Sequence, residues 1–223
     1  MYHRITNLSR GTPYPSLLVS PAAFAQQMKA LHDGGWRTIT AAQLGAAMAA
    51  HRPVPARTVV ITFDDGYKDN FTVAFPILRK YGFVATFAVV GRAGSEKMTA
   101  TQLATLVKAG MEVADHTLSH ANVSRIAGAS LWNQIEGGAQ AIEASLTLRG
   151  ARERMVSFVY PSGRVGPAAV ALLARLGYTD AFTEESGIAV IGTTRPLRIP
   201  RIRVSRAMTL SQFLHALPAE PRP

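Results

Sequence analysis

The chain has 223 residues, 48% of them hydrophobic and 17% charged, which supplies one sizeable core and excludes the composition of a disordered polymer. Its longest apolar run, residues 83–90 with Thr86 inside it, falls far short of the roughly 18–20 residues needed to cross a bilayer, so no transmembrane segment is expected. The absence of cysteine removes disulfides, thiolate nucleophiles and cysteine zinc sites, while 24 basic against 14 acidic residues give a net charge of +10, suited to nucleic acid, an anionic envelope polymer or a membrane surface.

The first residues, Met1-Tyr2-His3-Arg4-Ile5-Thr6, lack the basic-then-apolar layout of a signal peptide, which leaves a cytoplasmic, a mature and a trimmed chain all open. Ser20-Pro21 opens a helix that runs through Leu31, with Phe24, Met28 and Leu31 on one face and Gly34-Gly35 as its stop. Residues 57–63 read as a buried strand because Val59, Val60, Ile61 and Phe63 form a nearly continuous apolar, β-branched run. Similar runs occur at 83–90, 111–114, 155–160, 178–182 and 197–204. Between them lie helical patterns at 99–109, closed by Gly110, at 129–148, weakened by Gly137 and Gly138, and at 167–176, opened by Pro167 and closed by Gly177. About six strands in one series predict a single domain over residues 1–217, with a flexible proline-rich tail at 218–223. The alternation implies βαβ units and a mostly parallel sheet, open or closed, with its chemistry at the carboxyl ends of the strands.

Three strand ends carry polar constellations. The first is Thr62-Phe63-Asp64-Asp65-Gly66-Tyr67, where adjacent carboxylates repel and need a cation, a shared proton or solvent; the plain alternative is an Asp-Gly hairpin turn. The second is Asp115-His116-Thr117-Leu118-Ser119-His120, whose two histidines share a face if the segment is helical. Alone, such a pair is weak evidence, since it is more often a surface or capping feature. Joined to a strand-end Asp, it makes a two-His, one-carboxylate metal site with positions left for water and substrate. The third, Tyr160-Pro161-Ser162-Gly163-Arg164, is either an ordinary strand exit or a rigid turn that aims the Ser162 N–H at a developing oxyanion.

Over nearly its whole length the chain resembles the polysaccharide deacetylases of the NodB-homology family, carbohydrate esterase family four. Residues 62–67 are similar to the family's TFDDG motif and 116–120 to its H-S/T-x-x-H motif. The third motif departs, with Val159 where arginine is usual and Ser162 where an aromatic is usual. That departure resembles the circularly permuted poly-N-acetylglucosamine deacetylase branch, in which a Tyr-His-x-Ile/Val segment near the N-terminus supplies a catalytic histidine; Tyr2-His3-Arg4-Ile5 is similar to it.

The resemblance implies an α/β fold, a distorted (β/α) barrel of about seven mostly parallel strands, and removal of N-acetyl groups from an amino-sugar polymer or oligosaccharide. It implies a divalent metal, most readily zinc with cobalt or nickel as alternatives, held by Asp65, His116 and His120. Asp64 would be the base, His3 the acid, and Arg201 the residue that holds Asp64, with Arg203 the alternative by strand alternation. Relatives that modify exported polysaccharide suggest the cell envelope, periplasm or secretion. An O-acetyl esterase or small-molecule amidase on the same scaffold, and a noncatalytic carbohydrate- or anion-binding domain, are the competing functions. No nucleic acid partner is expected, since no recognition motif or basic stripe accompanies the charge. The oligomeric state stays open.

Overall fold

A computed structural model describes residues 1–9, 11, 14–92 and 94–218. In chain order the elements are β1 (Arg4–Ile5), β2 (Leu18–Val19), α1 (Pro21–Asp33), β3 (Arg37–Ile39), α2 (Ala41–Ala49), β4 (Thr58–Val60), β5 (Thr62–Phe63), α3 (Phe75–Lys80), β6 (Thr86–Val89), α4 (Ala100–Lys108), β7 (Glu112–Asp115), α5 (Gly128–Thr147), β8 (Ser157–Val159), α6 (Pro167–Leu176), β9 (Asp180–Phe182) and α7 (Leu210–His215). The helix starts follow from local chemistry. Ser20 Oγ accepts from Ala23 N ahead of Pro21, and α2, α4 and α7 each open with a reciprocal Thr/Gln capping box at Thr40/Gln43, Thr99/Gln102 and Thr209/Gln212.

Strands β5-β6-β7-β8-β9 form one curled parallel sheet in sequential order, flanked by the parallel pairs β1-β2 and β3-β4. Irregular backbone bonds continue the curl. Ile199 N donates to Ala181 O at 2.8 Å, Val204 N to Met1 O at 3.0 Å, Tyr2 N to Thr62 O at 2.8 Å and Asp64 N to Tyr2 O at 2.9 Å. The stretch 199–204 and the first residues of the chain therefore stand as two further staves between β9 and β5, in a distorted barrel.

The strand expected over 57–63 divides at Ile61: β4 pairs with β3, and β5 turns to pair with β6. The expected strand over 197–204 forms no regular ladder; only Phe182 and Ile199 bridge, and proline at 200 has no N–H to give. The tail expected at 218–223 lies, from residue 219 onward, outside the described residues.

The pleat sorts the sheet's side chains by alternation. Phe63, Phe87, Val113, Phe158 and Ala181 face the helical layer, with Phe63 and Phe87 stacked at 4.9 Å. Ala88, Ala114, Val159, Phe182 and Ile199 face the other way and pack against Ala41, Leu44 and Met48 of α2, which plugs the amino-terminal end of the barrel. One residue pair earlier along the strands lies a polar layer. Thr86 Oγ1 donates to Glu112 Oε2 at 2.8 Å, and the α2 N-terminus adds Ala42 N to the same oxygen at 3.1 Å. Asp180 Oδ2 accepts from Ser157 Oγ and Thr179 Oγ1, whereas buried Asp180 Oδ1 has no hydrogen-bond partner.

Burial, with the Glu112 charge next, raises Asp180 to about 7. Its folded value lies above the unfolded one, so the stability that it contributes is complete at low pH and is lost as pH rises toward 7. Asp180→Asn removes this titration. Urea unfolding at pH 5 and pH 8 should show wild-type losing stability across the interval, and the variant losing about 2 kcal/mol less. Parallel losses in both proteins would assign the pH dependence elsewhere.

Candidate active site

The carboxyl ends of the strands gather the polar motifs around a cleft of about 570 Å³. The loop after β5 turns sharply: Asp65 has φ 74° and Gly66 φ 70°. A Cβ on Gly66 would meet Val89 Cγ1 at 2.9 Å, so only glycine lets the loop lie against β6.

After β7 the segment does not continue as a helix but forms a tight turn, with Thr117 at φ 68° and His120 at φ 58°. His116 and His120 meet because the turn folds back, not because they share a helix face; their ring centroids lie 4.9 Å apart. Asp115 builds that turn. It is fully buried, accepts Thr117 N on Oδ1 and Tyr178 OH on Oδ2, both at 2.8 Å, and burial raises it to about 8. Gly138 of α5 completes the support: a Cβ there would sit 2.7 Å from Leu118 N and 2.8 Å from Thr117 C. The Gly137-Gly138 pair lowers helix propensity, and in return α5 packs directly on the histidine turn.

Asp65 Oδ1 lies 3.5 Å from His116 Nε2 and 3.2 Å from His120 Nε2, and the three donor atoms all fall within 4.8 Å of one another. His116 Nδ1 is 2.7 Å from the Val159 carbonyl, a contact in which Nδ1 donates and which aims Nε2 at the cleft. Burial alone would raise the Asp65 carboxyl, but the hydrogen bonds of His116 and His120, with the charges of His116 and Lys97 beyond, hold it well below the ordinary carboxylate range. Two imidazole nitrogens and one carboxylate oxygen are a donor set that fits a divalent transition metal and leaves positions open.

Asp64 points to a different set of partners. Arg201 donates Nη1 to Asp64 Oδ1 at 2.7 Å and Nη2 to Oδ2 at 2.8 Å, a bidentate pair with both side chains buried. The guanidinium is itself fixed through Nε to Thr183 O at 2.8 Å and Nη1 to Thr62 Oγ1 at 3.1 Å. Burial favours the neutral carboxyl, yet the Arg201 charge and hydrogen bonds, with His3 and His116 beyond, outweigh it and keep Asp64 ionised. Arg203, the alternative in the sequence, instead approaches Glu184 at 3.8 Å.

His3 is buried, and its ring offers a nitrogen within 4.8 Å of carboxylate oxygens of Asp64 and Glu184. Burial lowers its pKa, opposed by Asp64 and Asp65. The third turn, Pro161–Gly163, carries Ser162 at φ 53°, ψ 26° against the cleft. Gly163 permits it, because a Cβ there would sit 2.6 Å from Glu184 N. Left-handed non-glycine residues thus recur at the cleft in Asp65, His120 and Ser162, backbone strain of the kind that accumulates at functional sites.

Sequence reasoning did not single out Asp115 as the turn's support, nor Glu184 and Lys97 as cleft residues. Glu184 had a signal, since it follows β9 by two residues and strand ends carry the chemistry. Lys97 had none, because it reaches the cleft from a loop.

A barrel with this arrangement at its carboxyl-terminal mouth has the layout of a carbohydrate esterase, and sequence comparison agrees. The profile of the polysaccharide deacetylase family matches residues 51–181, and the chain belongs to that family of hydrolases. It is 29% identical over 215 residues to YxkH of Bacillus subtilis (strain 168), a protein named for the same family, across 96% of this chain and 73% of that one. It is 28% identical to the poly-beta-1,6-N-acetyl-D-glucosamine N-deacetylase of Escherichia coli (strain K12) across 87% of this chain, which spans about a third (35%) of that protein's length. Among solved structures, the Streptococcus pyogenes deacetylase PplD in complex with acetate superposes with a TM-score of 0.88 at 26% identity, covering 98% of this chain and 96% of that one. Among the described residues, no helix is long and apolar enough to cross a membrane.

Proposed function

We propose that this chain is a metal-dependent N-deacetylase that hydrolyses the acetamido group of amino-sugar polysaccharide or oligosaccharide in the cell envelope, leaving a free amine and acetate. One observation carries the reading: the Asp65, His116 and His120 donors lie within 4.8 Å of one another, in the same cleft as an Asp64 gripped by Arg201 and neighboured by His3. The named substrate of the Escherichia coli relative supports the substrate class.

Asp65, His116 and His120 would hold the ion, most readily zinc. When bound there, a divalent ion polarises an acyl carbonyl and lowers the pKa of water from about 15.7 toward about 7. Asp64, kept ionised by Arg201, takes the proton of the attacking water on a carboxylate oxygen. The Ser162 N–H is the donor aimed at the developing oxyanion. His3 delivers a proton to the departing nitrogen. This proton is essential for an amide, because an amide anion is prohibitive to expel, and matters far less for an activated ester.

That difference gives the test of His3. His3→Ala should keep its metal, retain substantial cleavage of an activated acetyl ester and lose about 10²-fold or more on N-acetyl sugars. Metal content and the two kcat values would be measured side by side. Equal, small losses on both substrates would remove His3 from the chemistry and direct attention to His215, which lies on α7 with Nδ1 bound to Ser211 O.

A further inference from the structure

We propose that Lys97 is an anion anchor beside the reacting centre, and that the substrate is an N-acetylated glycan bearing a carboxylate or phosphate on a sugar next to the acetamido group; this rests on the deacetylase reading above.

The position of Lys97 is built. Its backbone bridges antiparallel to Tyr67, and the flanking bonds Lys68 N to Glu96 O and Met98 N to Gly66 O, both 2.9 Å, fasten its loop to the turn that carries Asp64 and Asp65. Its ammonium sits 3.6 Å from the centroid of the Tyr67 ring, half-buried, in the wall of the catalytic cleft. Arg4 approaches the same ring at 4.6 Å but is neutralised by Asp69 at 2.9 Å. Lys97 has no such partner: among the described residues no carboxylate reaches it within ion-pair distance, and Asp65, whose charge is felt there, is engaged by two histidines. Arg203, the other cleft cation that Asp64 does not occupy, stands 3.8 Å from Glu184, beyond hydrogen-bond length.

A half-buried ammonium that rests on an aromatic ring and feels Asp65 and Asp69 only at a distance has lost water without gaining a counter-ion in contact, and an anion delivered to it completes the site. The distribution of charge over the molecule favours the same class of partner. Asp64, Asp65, Asp69, Glu112, Asp115 and Asp180 are buried, six of the fourteen acidic residues, whereas of the lysines and arginines among the described residues Arg201 alone is buried. The solvent-facing charge is therefore more positive than the net +10.

The test compares three tetrasaccharides of equal length: neutral N-acetylglucosamine, the same chain with 3-O-lactyl carboxylates on alternate sugars, and the same chain with 6-phosphates. Wild-type kcat/KM should be about tenfold or more higher on at least one anionic chain, with the advantage shrinking in high salt as exposed charge interactions are screened. The better anionic chain distinguishes carboxylate from phosphate. In Lys97→Met, which keeps the stem over Tyr67, the ratio of anionic to neutral kcat/KM should fall to within about threefold of unity, through KM rather than kcat. Equal wild-type turnover on all three chains, or an unchanged ratio in Lys97→Met, would overturn the proposal. Equilibrium binding of the three chains to Asp64→Asn, with and without Lys97→Met, gives a readout independent of turnover. Anion-selective binding that depends on Lys97 but without acetate release from any chain would fault the deacetylase reading and leave the anchor standing. Acetate release without anion selectivity would do the reverse.

Discussion

Asp64→Asn is expected to keep its metal and lose about 10³-fold in turnover on N-acetyl sugars, within the range of general-base catalysis. Asparagine matches aspartate in shape but cannot take a proton, and its amide nitrogen would face an Arg201 guanidinium that only donates. The donors of the neighbouring Asp65, His116 and His120 are unchanged. Metal analysis and kcat on the same preparation separate the two carboxylates. If Asp64→Asn empties the site while Asp65→Asn stays loaded, their roles are exchanged.

His116→Ala is expected to lose metal and turnover together, by about 10³-fold or more, because removing one of three protein ligands is felt in both affinity and chemistry. His116 is the demanding position. Its side chain is only 2% exposed and its Nδ1 is committed to Val159 O, whereas the His120 side chain is 41% exposed and has room to be replaced by water. His120→Ala should therefore bind metal weakly and be partly rescued by excess ion, and His116→Ala should not. Full metal occupancy in His116→Ala would remove the site as drawn.

Much of this was legible in the sequence because the parallel strands are short, apolar and punctuated. The runs ending at Phe63, Val90, Ala114, Tyr160 and Phe182 come within one residue of five strand ends, and polar residues just beyond them line the cleft. Local pattern failed where tertiary pairing decides. Nothing in Val59-Val60-Ile61-Thr62 announces that the strand changes partner at Ile61, since both halves are equally apolar and β-branched. α2 was missed because Ala41–Ala49 is mostly alanine, with too few large side chains to mark a face; its capping box is visible once sought. The shape of the His116–His120 segment stayed open in the sequence for a physical reason. The i, i+4 spacing has a helical default, and what overrides it is a buried carboxylate at Asp115, paired with Tyr178 from a segment 63 residues away, plus a glycine in a third element. Glu184, Lys97 and the Asp180 layer likewise depend on which loops and helices fold over which strand ends.

The central claim, one metal-dependent deacetylation site, is tested most directly by stripping the wild-type protein of metal and restoring it in substoichiometric steps while counting acetate and free amine released from N-acetylglucosamine oligomers. The expected result is no turnover without metal, then activity rising linearly to a plateau at one ion per chain, with acetate and amine formed in equal amounts. Undiminished acetate release from metal-free protein, or a fully loaded protein that releases acetate from O-acetylated sugars and none from N-acetylated ones, would contradict it.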